Sequence, residues 1–278
     1  MHELIRRHPR FGYRRIGAML RAEGRRINLK RVRRLWKQEG FRVPTKTRKK
    51  RRLGHSENGI LRRRALHKND VWTWDFIHDS DEVGRPLKWF SLVDEYTREC
   101  LALEVNRSMT AADVIDILAE VFRQRGLPGH IRSDNGPEFI ATAIRQYLDA
   151  AGIGPLYIEP GAPWENGYAE SFHGRLRDEL LNLDVFTGLT DAKALTAHWK
   201  QEYNHVRPHS SLGYKTPAAF AATCTNGTKD NSHNHKDNGT VASGALPPNP
   251  RLLPLLDNNH DNSRESDYTG QTLIAAGT

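Results

Sequence analysis

Positive charge is concentrated in the first quarter of this 278-residue chain. Residues 1–70 contain 24 Lys and Arg against 5 Asp and Glu, a formal charge of +19, whereas residues 71–223 contain 14 against 22, or −8. Because five acids cannot neutralise 24 cations, this segment is expected to meet an external polyanion, and nucleic acid is the favoured one. Counterion release would then make binding steeply dependent on salt. The sequence therefore predicts a basic N-terminal arm joined to an acidic domain.

Composition excludes several classes of protein. Hydrophobic residues make up 37% of the chain, enough for a core, but no apolar run approaches the roughly 18 residues that a membrane-spanning helix needs. The first 20 residues interleave arginines with short apolar stretches, which is not the pattern of a secretory signal. The two cysteines, Cys100 and Cys224, lie far apart and predict neither a disulfide framework nor a paired-cysteine zinc site. These features favour the reducing cytoplasm.

The basic arm is predicted to begin with short helices. Ile16, Met19 and Leu20 recur at helical spacing, and a further helix is expected from about Asn28. Its apolar stripe lies among basic residues that include Arg31 and Arg34, which are candidate DNA contacts. We predict a helix-turn-helix-like domain over residues 1–44, with an amphipathic hairpin bearing a solvated basic face as the alternative.

The stretch 45–70, which contains Lys49 and Arg51, has too few apolar residues to fold alone. It is predicted to be a flexible basic linker that lies along DNA phosphates.

From Val71 onward the pattern predicts strands and helices in the order βββαβαβα. Strands are expected at 71–78, 87–94, 100–105, near Ile131 and at 156–158, and helices at about 110–125, at 137–151 and after 163–165. This order predicts an α/β domain over 71–185, a mixed five-stranded sheet flanked by helices. A helix and loop extension is expected over 186–223, and the polar residues 224–278 are expected to form a disordered tail.

Three acids stand out by their positions in these elements. Asp75 falls inside the first strand, where an unpaired carboxylate is costly. Asp134 ends the fourth strand, and Glu170 lies in the first turns of the third helix of this domain. Each has an ordinary alternative, since Asp75 could pair with an arginine, Asp134 could cap a turn and Glu170 could be solvated. Together they form the oxygen-rich donor set that hard divalent cations prefer.

The helix around Glu170 is predicted to have two faces. One face carries Asn166, Glu170, His173 and Arg177 and is expected to point toward a site, so Asn166 and His173 are weaker DNA-contact candidates. The other is expected to be a core stripe, formed by Tyr168, Phe172, Leu176 and Leu180. Further acids near strand ends are predicted to be solvated turn residues; they are Asp79, Asp81, Glu82, Asp94 and Glu95.

Several stretches together resemble one protein family, the integrase-core transposases of bacterial insertion sequences, and specifically the second-frame (OrfB-type) product of the insertion-sequence family three. The matching stretches are Trp74-Asp75-Phe76, residues 133–139, residues 163–172, Tyr203-Asn204, Arg207-Pro208-His209 and Gly213-Tyr214. The resemblance implies a ribonuclease H-like fold in which Asp75, Asp134 and Glu170 bind two Mg²⁺ or Mn²⁺ ions. It also implies that Arg177 contacts substrate DNA.

The activity implied by the resemblance is cleavage of DNA at element ends by water, followed by attack of the freed 3′ hydroxyl on another phosphodiester. It implies DNA as partner, a homo-oligomer, an upstream-frame (OrfA-type) product as a possible partner, and a place at the bacterial nucleoid. Two alternatives stay open: a catalytically silent DNA-binding regulator, and a ribonuclease H-like nuclease without strand transfer.

Overall fold

The computed structural model describes residues 1–43, 63–133, 142–157 and 166–224. The N-terminal part contains three helices, α1 (His2–Arg7), α2 (Tyr13–Ala22) and α3 (Leu29–Gln38). The helix expected from about Asn28 is α3, and the Asn28 side chain caps it by accepting a hydrogen bond from the Lys30 amide. Ile16, Val32 and Trp36 are buried in the core of this small domain. The basic side chains therefore lie outside a genuine hydrophobic core.

The central sheet has five strands among the described residues. They are β1 (Val71–Ser80), β2 (Pro86–Asp94), β3 (Cys100–Asn106), β4 (His130–Ser133) and β5 (Gly154–Tyr157). Their order is β3-β2-β1-β4-β5, in which β1 and β2 pair antiparallel, as do β2 and β3, while β1–β4 and β4–β5 pair parallel. The predicted mixed sheet is confirmed, and each strand lies within a few residues of its expected bounds.

Helices cover both faces of this sheet. They are α4 (Ala111–Arg125), α5 (Thr142–Ala150), α6 (Gly167–Leu176), α7 (Leu189–His205) and α8 (Pro217–Ala221), with a π-helical turn at Arg177–Leu181 directly after α6. Trp72 and Trp74 of β1 face the core formed with α4 and α5. Ile77 of the same strand faces the opposite core, where α6 and α7 pack. This alternation places Thr73 and Asp75 on the α6 side.

Three of the five predicted turn acids are not solvated, whereas Asp79 and Glu82 are exposed as predicted. Asp81, Asp94 and Glu95 are at most 5% exposed, so their assignment as solvated residues was wrong. Asp81 binds Arg85 and Arg107, and Asp94 accepts hydrogen bonds from three backbone amides. Glu95 is bonded by Arg132 of β4 at 2.8 Å. These carboxylates are buried because donors from distant parts of the chain satisfy them.

Part of the predicted linker is held against the core. Arg63 binds Asp70 at 3.0 Å, and the backbone oxygen of Arg63 accepts a hydrogen bond from Arg132. The amide of Asn69 donates to Asp94. Residues 63–70 thus have fixed contacts, whereas 44–62 and the predicted tail from 225 onward lie outside the described residues. No helix in the described ranges combines the length and apolarity that crossing a bilayer requires.

Candidate active site

Asp75 lies in the middle of β1, on the side of the sheet that α6 covers. Its carboxylate is 23% exposed, and its Oδ1 accepts a 2.7 Å hydrogen bond from the Phe76 amide. Its Oδ2 lies 3.5 Å from Nδ1 of His173 and 3.5 Å from Nδ2 of Asn166. Two side chains that α6 and its N-cap supply therefore lie against the strand-centre carboxylate.

Hydrogen bonds tie α6 to the sheet beside Asp75. The hydroxyl of Thr73 donates to the side-chain oxygen of Asn166 at 2.7 Å, and both side chains are buried. At the other end, His173 Nε2 lies 2.9 Å from the Ser91 hydroxyl, which donates in turn to the backbone oxygen of Asp75 at 3.0 Å. Ser91 is the residue opposite Asp75 in the β1–β2 ladder. The contacts of Asn166 and His173, about two helical turns apart, thus fix the direction of α6 against the sheet.

Glu170 lies between these two anchors on α6, one turn from Asn166 and just under one turn from His173. Its side chain is exposed, as the sequence predicted. Because residues 166, 170 and 173 share one helical face, Glu170 is presented on the face that meets Asp75. The predicted pairing of a strand carboxylate with a helix carboxylate is compatible with this placement.

The imidazole of His173 adds no positive charge to the site near neutral pH. Burial, and then the nearby Arg177 guanidinium, lowers the pKa of His173 to about 4. A neutral ring beside Asp75 does not neutralise its carboxylate, which leaves that negative charge available to a cation.

The third predicted carboxylate, Asp134, lies outside the described residues. It directly follows Ser133, the last residue of β4, and β4 is the parallel neighbour of β1 through the pair Thr73 and Arg132. Within the described ranges, no group of three His, Cys, Asp or Glu is arranged to hold a metal ion. Asp75 and Glu170 supply the carboxylate oxygens that Mg²⁺ and Mn²⁺ prefer, so the donor chemistry fits such ions.

The predicted DNA contacts fall in different places. Arg177 is exposed and begins the π-helical turn after α6, and Arg31 and Arg34 are exposed on α3. Lys49 and Arg51 lie outside the described residues. Asn166 and His173 have structural bonds to the sheet, so their roles as direct DNA contacts stay predictions.

Comparison with known proteins agrees with this architecture. The Integrase core domain family matches residues 65–163 and 151–217, and the HTH-like domain family matches residues 1–51. An uncharacterized 31.7 kDa protein of insertion element IS407 from Burkholderia multivorans is 39% identical over 224 residues, covering 79% of this chain and 78% of that protein. The chain belongs to the integrase-core transposase family of bacterial insertion elements.

Two further relatives come from other insertion elements. An uncharacterized 39.2 kDa protein of insertion element IS476 from Xanthomonas euvesicatoria is 39% identical, over 79% of this chain. The chain spans 63% of that protein's length. The transposase InsD of insertion element IS2 from Escherichia coli is 31% identical, covering 83% of this chain and 80% of InsD. The integrase-core domain and the helix-turn-helix-like N-terminal domain expected from the resemblance are therefore confirmed.

Sequence reasoning missed two residues of this integrase core. Thr73 and Ser91 hold α6 and Asp75 in register, yet neither residue type is unusual in a strand. The available signal for Thr73 was the two-residue period of β1, which puts it on the same face as Asp75. Ser91 could have been found only from the register of the β1–β2 hairpin, which places it opposite Asp75. The sequence alone does not determine that register.

Proposed function

We propose that this chain is a DNA transposase that catalyses divalent-metal-dependent strand cleavage and strand transfer. Asp75, Asp134 and Glu170 are the proposed ligands of two Mg²⁺ or Mn²⁺ ions. The observation that carries the proposal is the attachment of α6 to β1: Asn166 bonds Thr73, and His173 approaches Asp75. This attachment brings the helix that bears Glu170 against the strand that bears Asp75.

The bound ions would activate the attacking oxygen and stabilise the leaving oxygen of an in-line phosphoryl displacement. The residues of this chain have simpler tasks. The amide of Asn166 donates to the Asp75 carboxylate, and the neutral His173 ring, bonded to Ser91, packs beside that carboxylate. Glu170 is open to solvent, so a DNA strand can reach it. No protein nucleophile is required, since water and then a 3′ hydroxyl attack the phosphodiester.

The charge distribution accounts for how DNA reaches an acidic core. Residues 1–70 carry +19 while residues 71–223 carry −8, so the basic arm attracts the duplex that the core alone would repel. We assign phosphate contacts to Arg31 and Arg34 of α3, to Lys49 and Arg51 of the linker, and to Arg177 beside the site. Joining two element ends requires at least a dimer, and an upstream-frame product is a possible further partner. We place the protein in the cytoplasm, at the nucleoid.

A strand-transfer assay tests this function. The purified chain is incubated with supercoiled plasmid and a labelled 3′-hydroxyl oligonucleotide in Mg²⁺, Mn²⁺ or EDTA, and nicked and joined products are measured. The oligonucleotide label should be joined to the plasmid only when Mg²⁺ or Mn²⁺ is present, and this joining should be lost in Glu170→Gln. The matched control is Glu104→Gln, which neutralises an exposed carboxylate of β3 and should join as the unaltered chain does.

Other outcomes separate the alternatives. Nicking without joined label indicates a nuclease without strand transfer. DNA binding with neither product in either metal indicates a catalytically silent regulator. Joining that persists in Glu170→Gln would contradict the assignment of this carboxylate.

A further inference from the structure

A cavity of about 410 Å³ lies on the side of α6 away from Asp75. Four arginines from four separate parts of the chain line it: Arg15 of α2, Arg98 of the β2–β3 turn, Arg175 of α6 and Arg207 after α7. None of its described lining residues is acidic. Its volume falls within the roughly 300–1,000 Å³ of typical ligand pockets, so it can hold more than a water molecule.

The positive charge of this arginine pocket is only partly balanced. Glu179 takes two hydrogen bonds from Arg207, at 2.6 and 2.7 Å, and lies 3.8 Å from Arg15. Arg175 has no acidic partner among the described residues and bonds only the Ser171 carbonyl of its own helix, at 3.3 Å.

Arg98 is the most exceptional member of the pocket. Its Nη1 is buried and has no hydrogen-bond partner within the described part of the chain. The two acids nearest in sequence, Glu95 and Asp94, attract the Arg98 guanidinium but accept no hydrogen bond from its Nη1. Glu95 also binds Arg132, and Asp94 also accepts three backbone amides. Its backbone φ of 65° favours glycine, so the backbone does not explain why an arginine stands there. A buried donor without a partner is costly and points to an acceptor supplied from outside.

Local electrostatics favour an anion at this pocket. Burial, followed by Arg207, Arg175, Arg15 and Arg98, lowers the pKa of His209 at the pocket to about 2. All four pocket arginines therefore act on one point, where their fields add. Arginine forks match phosphate oxygens in geometry as well as in charge.

We propose that the arginine pocket binds a backbone phosphate of the DNA on which this transposase acts. This proposal rests on the proposed function for its choice of DNA as the source of the phosphate. It also gives a role to the Arg207 to Ser211 segment, which the metal site does not use. The Arg98 guanidinium lies 3.8 Å above the Tyr168 ring, two residues before Glu170. A phosphate held by Arg98 and Arg175 would thus position the strand beside the same helix that carries Glu170.

DNA binding in EDTA tests the pocket separately from catalysis. The intact chain and its Arg98→Gln and Arg175→Gln variants are titrated onto a labelled duplex over a series of KCl concentrations. Each variant should bind about tenfold more weakly, and its slope of log affinity against log salt should fall by about 0.9, the value for one duplex phosphate. Arg145→Gln is the matched control, because Arg145 is an exposed arginine of α5 outside the pocket. Because binding is measured in EDTA, the result can be interpreted even if the chain fails to catalyse strand transfer.

Inorganic phosphate is the second probe. At matched ionic strength, phosphate should raise the melting temperature of the intact chain above its value in chloride, because a ligand that binds the folded state stabilises it. The increment should disappear in Arg98→Gln and Arg175→Gln and persist in Arg145→Gln. Unchanged DNA affinity and an unchanged salt slope in both pocket variants would overturn the proposal. This holds even if phosphate raised the melting temperature of the intact chain, since the pocket would then bind a free anion and not DNA.

Discussion

The hydroxyl of Thr73 donates a 2.7 Å hydrogen bond to the side-chain oxygen of Asn166, and both side chains are buried. This bond joins β1, two residues before Asp75, to the N-cap of the helix that presents Glu170. The relative position of two proposed metal ligands therefore depends on a neutral hydrogen bond between residues that touch neither ion.

Replacing Thr73 with Val should loosen this junction while keeping the shape of the side chain. The buried Asn166 oxygen loses its donor, so the free energy of unfolding should fall by about 1–3 kcal/mol in urea denaturation. Strand transfer should fall while DNA binding stays unchanged. Thr190→Val is the control, because Thr190 is exposed on α7 and its replacement should cost within about 0.5 kcal/mol. Equal unfolding free energies for the two variants would contradict the assigned role of Thr73.

The ion pair between Glu179 and Arg207 should be far more important for stability than exposed pairs. Arg207 is 3% exposed and Glu179 11%, and Arg15 lies beside them. Glu179→Gln leaves the buried Arg207 and the partly buried Arg15 without their carboxylate, which should lower the free energy of unfolding by about 3 kcal/mol. Glu120→Gln removes the exposed partner of Arg123 and should cost at most about 1 kcal/mol. Chemical denaturation compares the two, and similar losses would be the contrary result.

Stability should depend on pH through His209. The Arg207 guanidinium donates to Nε2 of this ring at 3.3 Å, which requires a neutral imidazole, and burial with the pocket arginines lowers the pKa of His209 to about 2. Unfolded histidine binds a proton near pH 6.5, while the folded state does not. Stability is therefore fully present above about pH 6.5 and is lost as pH falls toward the folded pKa.

His209→Gln isolates this contribution, since glutamine keeps an acceptor but does not titrate. Below about pH 6.5 the intact chain should lose about 1.4 kcal/mol per pH unit more than the variant. Burial also lowers the pKa of His8, but His8 is present in both proteins, so its contribution to the pH dependence cancels in the comparison. Denaturation at several pH values between about 6.5 and 5 gives the slopes. Parallel slopes would mean that His209 is protonated in the folded state.

The basic face of α3 should contribute to DNA affinity without contributing to the fold. Arg31 and Arg34 are exposed, so their joint replacement by Gln should change the free energy of unfolding by about 0.5 kcal/mol or less. If each contacts one phosphate, the salt slope of duplex binding should fall by about 1.8. Fluorescence anisotropy of a labelled duplex over a KCl series measures this salt slope, with Arg123→Gln on α4 as the control. A slope equal to that of the control would remove α3 from the DNA interface.

Local patterns were sufficient to predict much of the fold. The two-residue alternation of Trp72, Trp74 and their neighbours defined β1, and Thr110 with Asp113 formed the capping box that begins α4. Asp75 and Glu170 became candidates only in combination with Asp134, because each acid alone has an ordinary explanation while the three together form a donor set for a hard cation. Strand patterns and helix caps depend on residues within a few positions of each other, so the sequence alone reveals them.

What the sequence did not predict depends on contacts between distant residues. Glu95 was assigned to solvent because its partner Arg132 comes 37 positions later. Tyr168 was assigned to the core stripe, but it is only half-buried and faces Arg98, a residue 70 positions earlier in the chain. The arginine pocket likewise assembles four separate segments. No local spacing brings such groups together, so only the folded arrangement reveals them.

The most direct test of the central claim is Mn²⁺ binding, followed by electron paramagnetic resonance without DNA. The intact chain is compared with Asp134→Asn and with Asp149→Asn, which neutralises an exposed aspartate of α5. If Asp75, Asp134 and Glu170 form the metal site, Asp134→Asn should bind Mn²⁺ at least tenfold more weakly while Asp149→Asn binds as the intact chain does. Equal Mn²⁺ affinity in all three proteins would contradict the three-carboxylate site.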